Sequence, residues 1–438
     1  MSGDPDVIVA GGGVAGCAAA SCLATLGWSV LLVEPGQHEE RRLSGEFIHP
    51  ACVADLAELG LLAPADIARA APLRGFAVFA GPSPTPPMHL LYRSGDAGRS
   101  TALALDHGTL RRTLLDAAGR IERVSVARGC RVVGLDDGAP GRSAVHLARG
   151  GQRETVPCRL LVAADGASSR VRDMAGIAHR RHGGARFSGY RIGSEALPAP
   201  GFGHVFLGAK HPVLAYAIGD GAARVLFEQP VSPDRRARPD ECTAMLPAPL
   251  REALGAAVSA GGGLGFAARH VAVSAVVRGG VALVGDAAGS CHPLTASGMS
   301  MAVADAFRLR DALCRASGDV ALALRLYARE RRAQQRARML LAALLHDTLG
   351  GTAPAMEFLR DGLLRYWMRS AGGRAASLQL IASTETRVHA VLHELAWVAL
   401  HGLCRPPGGL SGLARQVGAM AKLALPIMRL TTDTIRIQ

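Results

Sequence analysis

The sequence predicts an α/β fold: a parallel sheet flanked by helices, an inserted antiparallel sheet, and a C-terminal helical segment. Three observations predict it. The chain opens on a buried strand, a Gly-rich turn and a helix, Asp6-Val-Ile-Val-Ala-Gly-Gly-Gly-Val-Ala-Gly16. A second apolar strand, Val281–Val284, runs into Gly285-Asp286, a turn holding Pro293, and a helix opening near Ser297. Between them, residues near 76–97 and 179–267 alternate in the two-residue period of half-buried strands, with turn signals at Pro82–Pro87, Pro198–Gly203 and Gly261–Gly265.

A chain of 438 residues exceeds one simple core, so two or three domains are expected. The motifs assign 1–75, 98–178 and 268–350 to one discontinuous domain. Residues 76–97 and 179–267 form the inserted domain, and 351–438 the helical segment. Half the residues are hydrophobic, so the chain is globular. Net charge is +13, yet Lys210 and Lys422 are the only lysines; the basicity is arginine. Aromatics make up 4% and the basic residues are dispersed, so no nucleic-acid partner is expected. Attraction to anionic lipid stays open. Nine scattered cysteines without a C-x-x-C pair argue against a zinc site or disulfides and for a reducing cytoplasm; no metal site is expected. Asp4 and Asp6 precede the first apolar run, so no secretory signal is expected. The apolar stretch Val7–Val33 is broken by its Gly triplet and by Gly27-Trp28, which fits strand–turn–helix–strand better than a membrane span.

The first motif carries the first chemistry. Val7–Ala10 reads as a buried parallel strand, and Gly11, Gly13 and Gly16 give the G-x-G-x-x-G spacing. The first glycine allows the tight turn, the second lets a diphosphate approach the backbone, and the third lets helix and strand pack closely. A helix follows from Val14 to about Leu26, and its first amides, on Val14 and Ala15, favour an anion. Ser29–Val33 is the next strand, ending at Glu34, where an acid can accept both hydroxyls of an adenosine ribose. That acid does not separate FAD from NAD.

Two further anchors follow. Leu160–Ala164 is an apolar strand stopping at Asp165-Gly166, alone a common turn. The carboxylate of Gly285-Asp286 ends another strand and can take the ribityl hydroxyls of a flavin. Amides of Ala296, Ser297, Gly298 and Met299 at the next helix start can face the pyrimidine edge of its ring. Reduced flavin is negative there, and a helix N-terminus stabilises such charge by about 0.3–1 kcal/mol at exposed sites. The whole reads as a Rossmann-like FAD-binding domain with an inserted antiparallel-sheet substrate domain.

The ordered set G-x-G-x-x-G, A-D-G and G-D-A resembles the class A flavoprotein monooxygenases, the p-hydroxybenzoate hydroxylase-like group, and within it the squalene monooxygenase family. Arg42-Leu-Ser-Gly-Glu46 is similar to that family's Arg-x-x-Gly-Glu, and His292-Pro-Leu-Thr-Ala-Ser-Gly-Met299 to its His-Pro-Leu-Thr-Gly-Gly-Gly-Met. Leu309–Leu313, Gly203–Gly208, Pro212–Ile218 and Arg224–Leu226 also look like the family's segments. The resemblance implies that Glu34 binds the adenosine ribose and that Arg42 and Arg111 sit by the diphosphate or ribityl chain, Arg112 being an equal candidate. It implies that Asp286 holds the ribityl region and that Pro293 lies beside the ring where the hydroperoxide forms. Tyr216, Phe206 and Phe227 are the substrate candidates of the inserted sheet. Ala296-Ser297 replaces a Gly-Gly pair, so contacts near the ring are expected to differ. The family's N-terminal membrane segment is not expected here.

Other constellations are weaker. Side chains of the adjacent pair Cys291-His292 diverge, which disfavours a nucleophile–base pair. Asp106 reads as the cap of a helix over Leu110–Ala118. Glu46, the one acid in a cofactor-proximal loop, reads as a catalytic residue or as a structural hydrogen-bond acceptor. Flavin halogenases resemble this group, but their Trp-x-Trp-x-Ile-Pro segment is missing and Lys210 falls in the inserted domain.

Helix is expected from Val320 to about Leu349, with Arg325, Arg329, Arg332 and Arg336 on a solvated face. The remainder is expected to be helical. Ala396–Leu403 is too short to span a bilayer. Arg415, Lys422, Arg429 and Arg436 recur every seven residues beside apolar positions, a stripe suited to a membrane interface or to packing on the domain. The resulting expectation is a cytoplasmic enzyme, peripheral at the inner face of the membrane. It would use FAD and O2, with electrons from NAD(P)H or a separate reductase as redox partner. It would epoxidise or hydroxylate a lipophilic unsaturated, polyene- or terpenoid-like substrate. Hydroxylation of an aromatic or quinol ring, or reduction of an isoprenoid chain, are the alternatives.

Overall fold

The computed structural model describes residues 3–36, 43–81, 86–92, 100–136, 138–208, 211–229 and 243–403. Its first sheet has six strands in the order Val277–Arg278, Val281–Leu283, Leu160–Ala163, Val7–Ala10, Val30–Glu34, Val124–Arg128. Every neighbouring pair is parallel except the first. Val7–Ala10 lies inside this sheet and is buried throughout, as an all-apolar strand covered on both faces must be. The helix Val14–Ala24 follows at once and ends two residues earlier than the sequence predicts. Gly27, at φ +80°, then turns the chain back toward Val30. The helix packs against His107–Ala118 and Gly298–Arg315. A Cβ on Gly16 would lie 1.7 Å from the Gly11 carbonyl oxygen, so only glycine permits that approach.

The second sheet has seven strands, ordered Leu264–Val273, His179–Gly193, Ala222–Gln229, Val213–Gly219, Gly203–Phe206, Gly75–Phe79, Met88–Leu91. An all-antiparallel sheet was expected. One joint differs: Gly203–Phe206 runs parallel to Gly75–Phe79, with Gly203 opposite Phe76. The two inserted segments meet there, and parallel neighbours need a long crossover rather than a hairpin; residues 98–178 of the first domain supply most of it. A small meander was also not anticipated: Cys130–Leu135, Ser143–Arg149 and Gln152–Cys158. Its second turn, Gly150-Gly151, has both φ angles positive, as a two-residue hairpin requires.

The seven-stranded sheet has two apolar faces. Phe79, Phe206, Val213, Ala215, Val225 and Phe227 pack beneath the helix Ala248–Ser259. On the opposite face, Val78, Leu90 and Leu207 meet Leu359, Leu363, Trp367 and Val398 of the C-terminal helices Pro354–Arg369 and Val388–Leu403, with Leu294 alongside. These helices therefore cover the inserted sheet. The seven-residue basic stripe beyond Leu403 lies outside the described residues.

The Gly285 turn rests on a buried ion pair. Asp305 accepts the Gly285 N–H at 2.9 Å, and its other oxygen lies 2.7 Å from Arg331 Nε, both side chains being 0% exposed. Arg308 is 3.5 Å from the same carboxylate. Tyr327, on the helix Val320–Gly350, donates its hydroxyl to the Leu283 carbonyl at 2.6 Å. The expected solvated face of this helix is present, Arg325, Arg329, Arg332 and Arg336 all being exposed, while Arg331 turns inward.

Removing one partner of a buried pair leaves an uncompensated charge, at about 3–5 kcal/mol. Arg331→Met should therefore lower the chemical-unfolding free energy by about 3 kcal/mol, the nearby Arg308 holding the loss at the low end of that range. Arg331→Met with Asp305→Asn should recover part of it, since the amide still accepts from Gly285. A loss below about 1 kcal/mol in the single variant would mean the pair does not hold the turn.

Candidate active site

The three glycines of the first motif separate into distinct roles. Gly11 has φ +109°, and a Cβ there would stand 2.6 Å from the Ala164 carbonyl oxygen. Gly16 is required by the helix–strand approach. Gly13 differs: its backbone is extended, and a Cβ would meet nothing within 4 Å. Protein contacts leave Gly13 unexplained, and the approach of a diphosphate to its backbone accounts for it. Val14 and Ala15 follow in the first helical turn, which carries no side-chain cap. The helix Gly298–Arg315 likewise starts at Ser297 without one, whereas Asp106 and Asp319 cap other helices. Two sets of helix-start amides are thereby left to a negatively charged ligand.

Glu34 is buried at the end of its strand, one oxygen accepting Gly12 N–H and the other Gly36 N–H, both at 2.7 Å. Arg111 lies 2.6 Å from the second oxygen. The structure thus puts Arg111 at the Glu34 end of the site, on the acid assigned to the adenosine ribose. Arg42 lies outside the described residues. Asp165 Oδ2 accepts Arg170 and Val171 N–H at 2.7 and 3.1 Å and so starts a short helix; its Oδ1 is buried without a hydrogen bond. Asp286 is reachable by water, yet protein surrounds it closely enough that burial raises its carboxyl pKa, with Arg338 and Arg331 opposing. Those two properties together describe a group on the floor of a concave surface.

Beyond it, Pro293–Thr295 forms a single 3-10 turn. Ala296 follows in the left-handed region at φ 51°, where the related motif carries glycine. Ser297 and Thr295 hydroxyls bond at 2.8 Å, and Met299 is buried against Gly45. His49 Nε2 is 3.0 Å from the Thr295 carbonyl, and Tyr92 OH is 2.7 Å from His49 Nδ1. Burial holds His49 down at about 4 and keeps the Tyr92 hydroxyl protonated, so both are neutral. Burial also raises the Cys291 thiol, which disfavours a thiolate nucleophile.

The inserted sheet presents the opposite wall. Tyr216 points toward the first domain, with Phe47, Phe76, Tyr92, Leu226 and Ala296 in the same apolar cluster. Phe206 and Phe227 do not. They lie on the other face, in the core under Ala248–Ser259, stacked on Phe79 and Tyr190. Two-residue alternation explains the correction, because Phe227 shares its face with Val225, while Arg224, Leu226 and Glu228 share the one that looks at the first domain. Arg224 Nε and Nη2 clasp Glu46 at 3.0 and 2.7 Å, and Tyr216 donates to Glu46 at 3.3 Å. Glu46 is thus a structural acceptor in this geometry. Neither Arg224 as its partner nor Glu228 was singled out from sequence, though that alternation places them together.

The family model for "FAD binding domain" matches residues 4–342. The chain belongs to this family. It is 28% identical to squalene epoxidase 3 of Arabidopsis thaliana over 71% of this chain and 60% of that protein. It is also 28% identical to squalene epoxidase erg1 of Aspergillus fumigatus, over 70% of this chain and 66% of that one. The chain therefore spans less than two thirds of these relatives' length. Among solved structures, Klebsiella pneumoniae HpxO complexed with FAD and uric acid superposes with TM-score 0.68 at 23% identity, over 90% of this chain and 97% of that one. That likeness is one of fold.

The donor set fits FAD: a glycine with open space before it, two uncapped helix starts, and carboxylates at Glu34 and Asp286. Gly13→Val should leave the apoprotein's melting temperature unchanged while weakening FAD binding, whereas Gly16→Ala should lower the melting temperature itself. Flavin titration and calorimetry separate the two. Asp286→Ala should weaken FAD by about 1–3 kcal/mol; full occupancy in that variant would remove Asp286 from the site.

A pH signature comes from the neighbouring Glu228–His346 contact. The carboxylates of Asp347 and Glu228 raise His346 from 6.5 to about 9, and contacts with His292 and His346 outweigh burial to depress Glu228. The raised histidine stabilises fully below 6.5 and loses that contribution as pH rises through about 9. The depressed Glu228 contributes above 4.5 and fades only as pH falls below it. In chelator-treated protein, His346→Gln should therefore lower the melting temperature more at about pH 6 than above about pH 9. An equal loss at both would contradict the pairing.

Proposed function

We propose that the protein is an FAD-dependent monooxygenase that transfers one oxygen atom to a carbon–carbon double bond of a lipophilic, polyene- or terpenoid-like substrate. The observation that carries the reading is the apolar wall of Phe47, Phe76, Tyr92, Tyr216 and Leu226 beside Ala296. Its ionisable groups are neutral or paired. Glu46 is clasped by Arg224, and His49 and Tyr92 are held uncharged. An electrophilic oxygen donor needs no protein base for an alkene, whereas a phenol or quinol is normally activated by losing its proton. This favours epoxidation over ring hydroxylation, and the likeness to squalene epoxidases supports it.

Bound and reduced, FAD supplies the activation of O2. The chain's own residues do the rest. The Gly11–Gly16 turn and Glu34 hold the nucleotide end, and Asp286 the ribityl chain. Pro293 to Met299 line the ring, and the inserted sheet with the C-terminal helices excludes water, which would promote loss of H2O2. Electrons come from NAD(P)H or a reductase partner.

Among the described residues no helix is long and apolar enough to cross a membrane. Leu392, Trp397 and Leu400 are exposed on the helix Val388–Leu403, which supports peripheral contact with a lipid surface. Trp397→Glu with Leu400→Glu should reduce flotation with anionic liposomes. Unchanged flotation would remove this helix from the contact.

Incubation of lipid extracts with enzyme and electron donor under 18O2 should yield a product carrying one labelled atom, with H2O2 as the uncoupled by-product. Anaerobic product formation at undiminished rate would instead identify a flavin reductase of an isoprenoid chain.

A further inference from the structure

The expectation of no metal site rested on scattered cysteines. It does not reach histidine and carboxylate ligands carried by different elements. His211 precedes the strand Val213–Gly219, Glu228 lies near the end of Ala222–Gln229, His346 sits on Val320–Gly350, and His292 adjoins Pro293. All four converge. Glu228 Oε2 is 3.4 Å from His211 Nδ1, 3.4 Å from His292 Nε2 and 3.6 Å from His346 Nε2. A charge-assisted N–H···O bond is shorter, about 2.7–2.9 Å. Ligands at about 2.0–2.1 Å from a tetrahedral ion stand about 3.3–3.4 Å apart, close to the spacing seen. One donor atom each from His211, Glu228 and His346 falls within 4.8 Å of the others.

Two further observations point the same way. His346 Nδ1 lies 3.3 Å from the Asp347 carboxylate and donates to it, which turns the Nε2 lone pair toward Glu228. Metal-bound histidines are held in this manner. His292 is 3% exposed, and its Nδ1 accepts the Leu294 N–H at 3.3 Å. Nε2 therefore carries the proton and faces Glu228, with no hydrogen bond of its own.

We infer that His211, Glu228 and His346 bind one divalent transition-metal ion of the zinc class, with water completing its shell. His292 and Asp347 hold the ligands from outside. The ion joins the inserted sheet to the helix Val320–Gly350 and, through His292, to the turn that bears Pro293. The Glu228–His346 contact persists in the metal-free protein as an ion pair, and the metal replaces the proton on His346.

The test uses full-length, FAD-loaded protein dialysed against a chelator, then titrated with Zn2+ by calorimetry and with Co2+ by absorption as a coordination probe. One saturable site per chain is expected. His211→Gln, Glu228→Gln and His346→Gln should each weaken it by more than the about 10–100-fold that loss of an outer partner costs, and Asp347→Asn by about 10-fold. The flavin spectrum of each variant reports that it is folded. His393→Gln, on an exposed histidine elsewhere, should change nothing. The absence of saturable binding overturns the inference. So does wild-type affinity in folded Glu228→Gln and His346→Gln, or loss of the site in His393→Gln.

Discussion

The contact between Asp305 and Arg331 is the constraint on which the cofactor half of the structure depends. One oxygen of Asp305 takes the Gly285 amide while the other meets Arg331, so a strand end, a turn and two helices are fixed by one carboxylate. Asp286 is the next residue, and its direction follows from that of Gly285. The same helices carry the start at Ser297 and the Tyr327 hydroxyl that caps the strand at Leu283. A buried pair of this kind contributes little net stability, because desolvation offsets the attraction. Its effect is positional: few other arrangements satisfy both charges and the amide.

A second organising element is the strand Ala222–Gln229. Strand geometry sends alternate residues to one face, and three of them meet the first domain in turn. Arg224 neutralises Glu46, Leu226 joins the aromatic wall, and Glu228 gathers the histidines. Charge is thereby kept at two margins of an apolar surface. An unpaired charge in the middle of such a surface would draw water in.

The C-terminal helices pack on the inserted sheet. Their inner faces complete the core over Val78, Leu90 and Leu207, beside Leu294 of the Pro293 turn. The last of these helices, Val388–Leu403, buries Val398 in that core and leaves Leu392, Trp397 and Leu400 exposed.

Local features were legible in the sequence wherever one segment contains its own physical reason. The glycine spacing of Gly11–Gly16, the apolar strands Val7–Ala10 and Leu160–Ala163, the Asp106 cap and the exposed arginine face of Val320–Gly350 all belong to this kind. Interactions between segments were not legible. Nothing local marks Arg331 as buried among exposed arginines, since that depends on Asp305 arriving from the preceding helix. Alternation says which residues of the inserted sheet share a face, but only the helix Ala248–Ser259 decides that the face of Phe206 and Phe227 is a core. The parallel joint of Gly203–Phe206 with Gly75–Phe79 and the convergence of His211, Glu228, His292 and His346 have the same origin. The sequence by itself determined the period of each element and the chemistry at its ends. The tertiary structure decided what covers each face, because burial and pairing are set by partners distant along the chain.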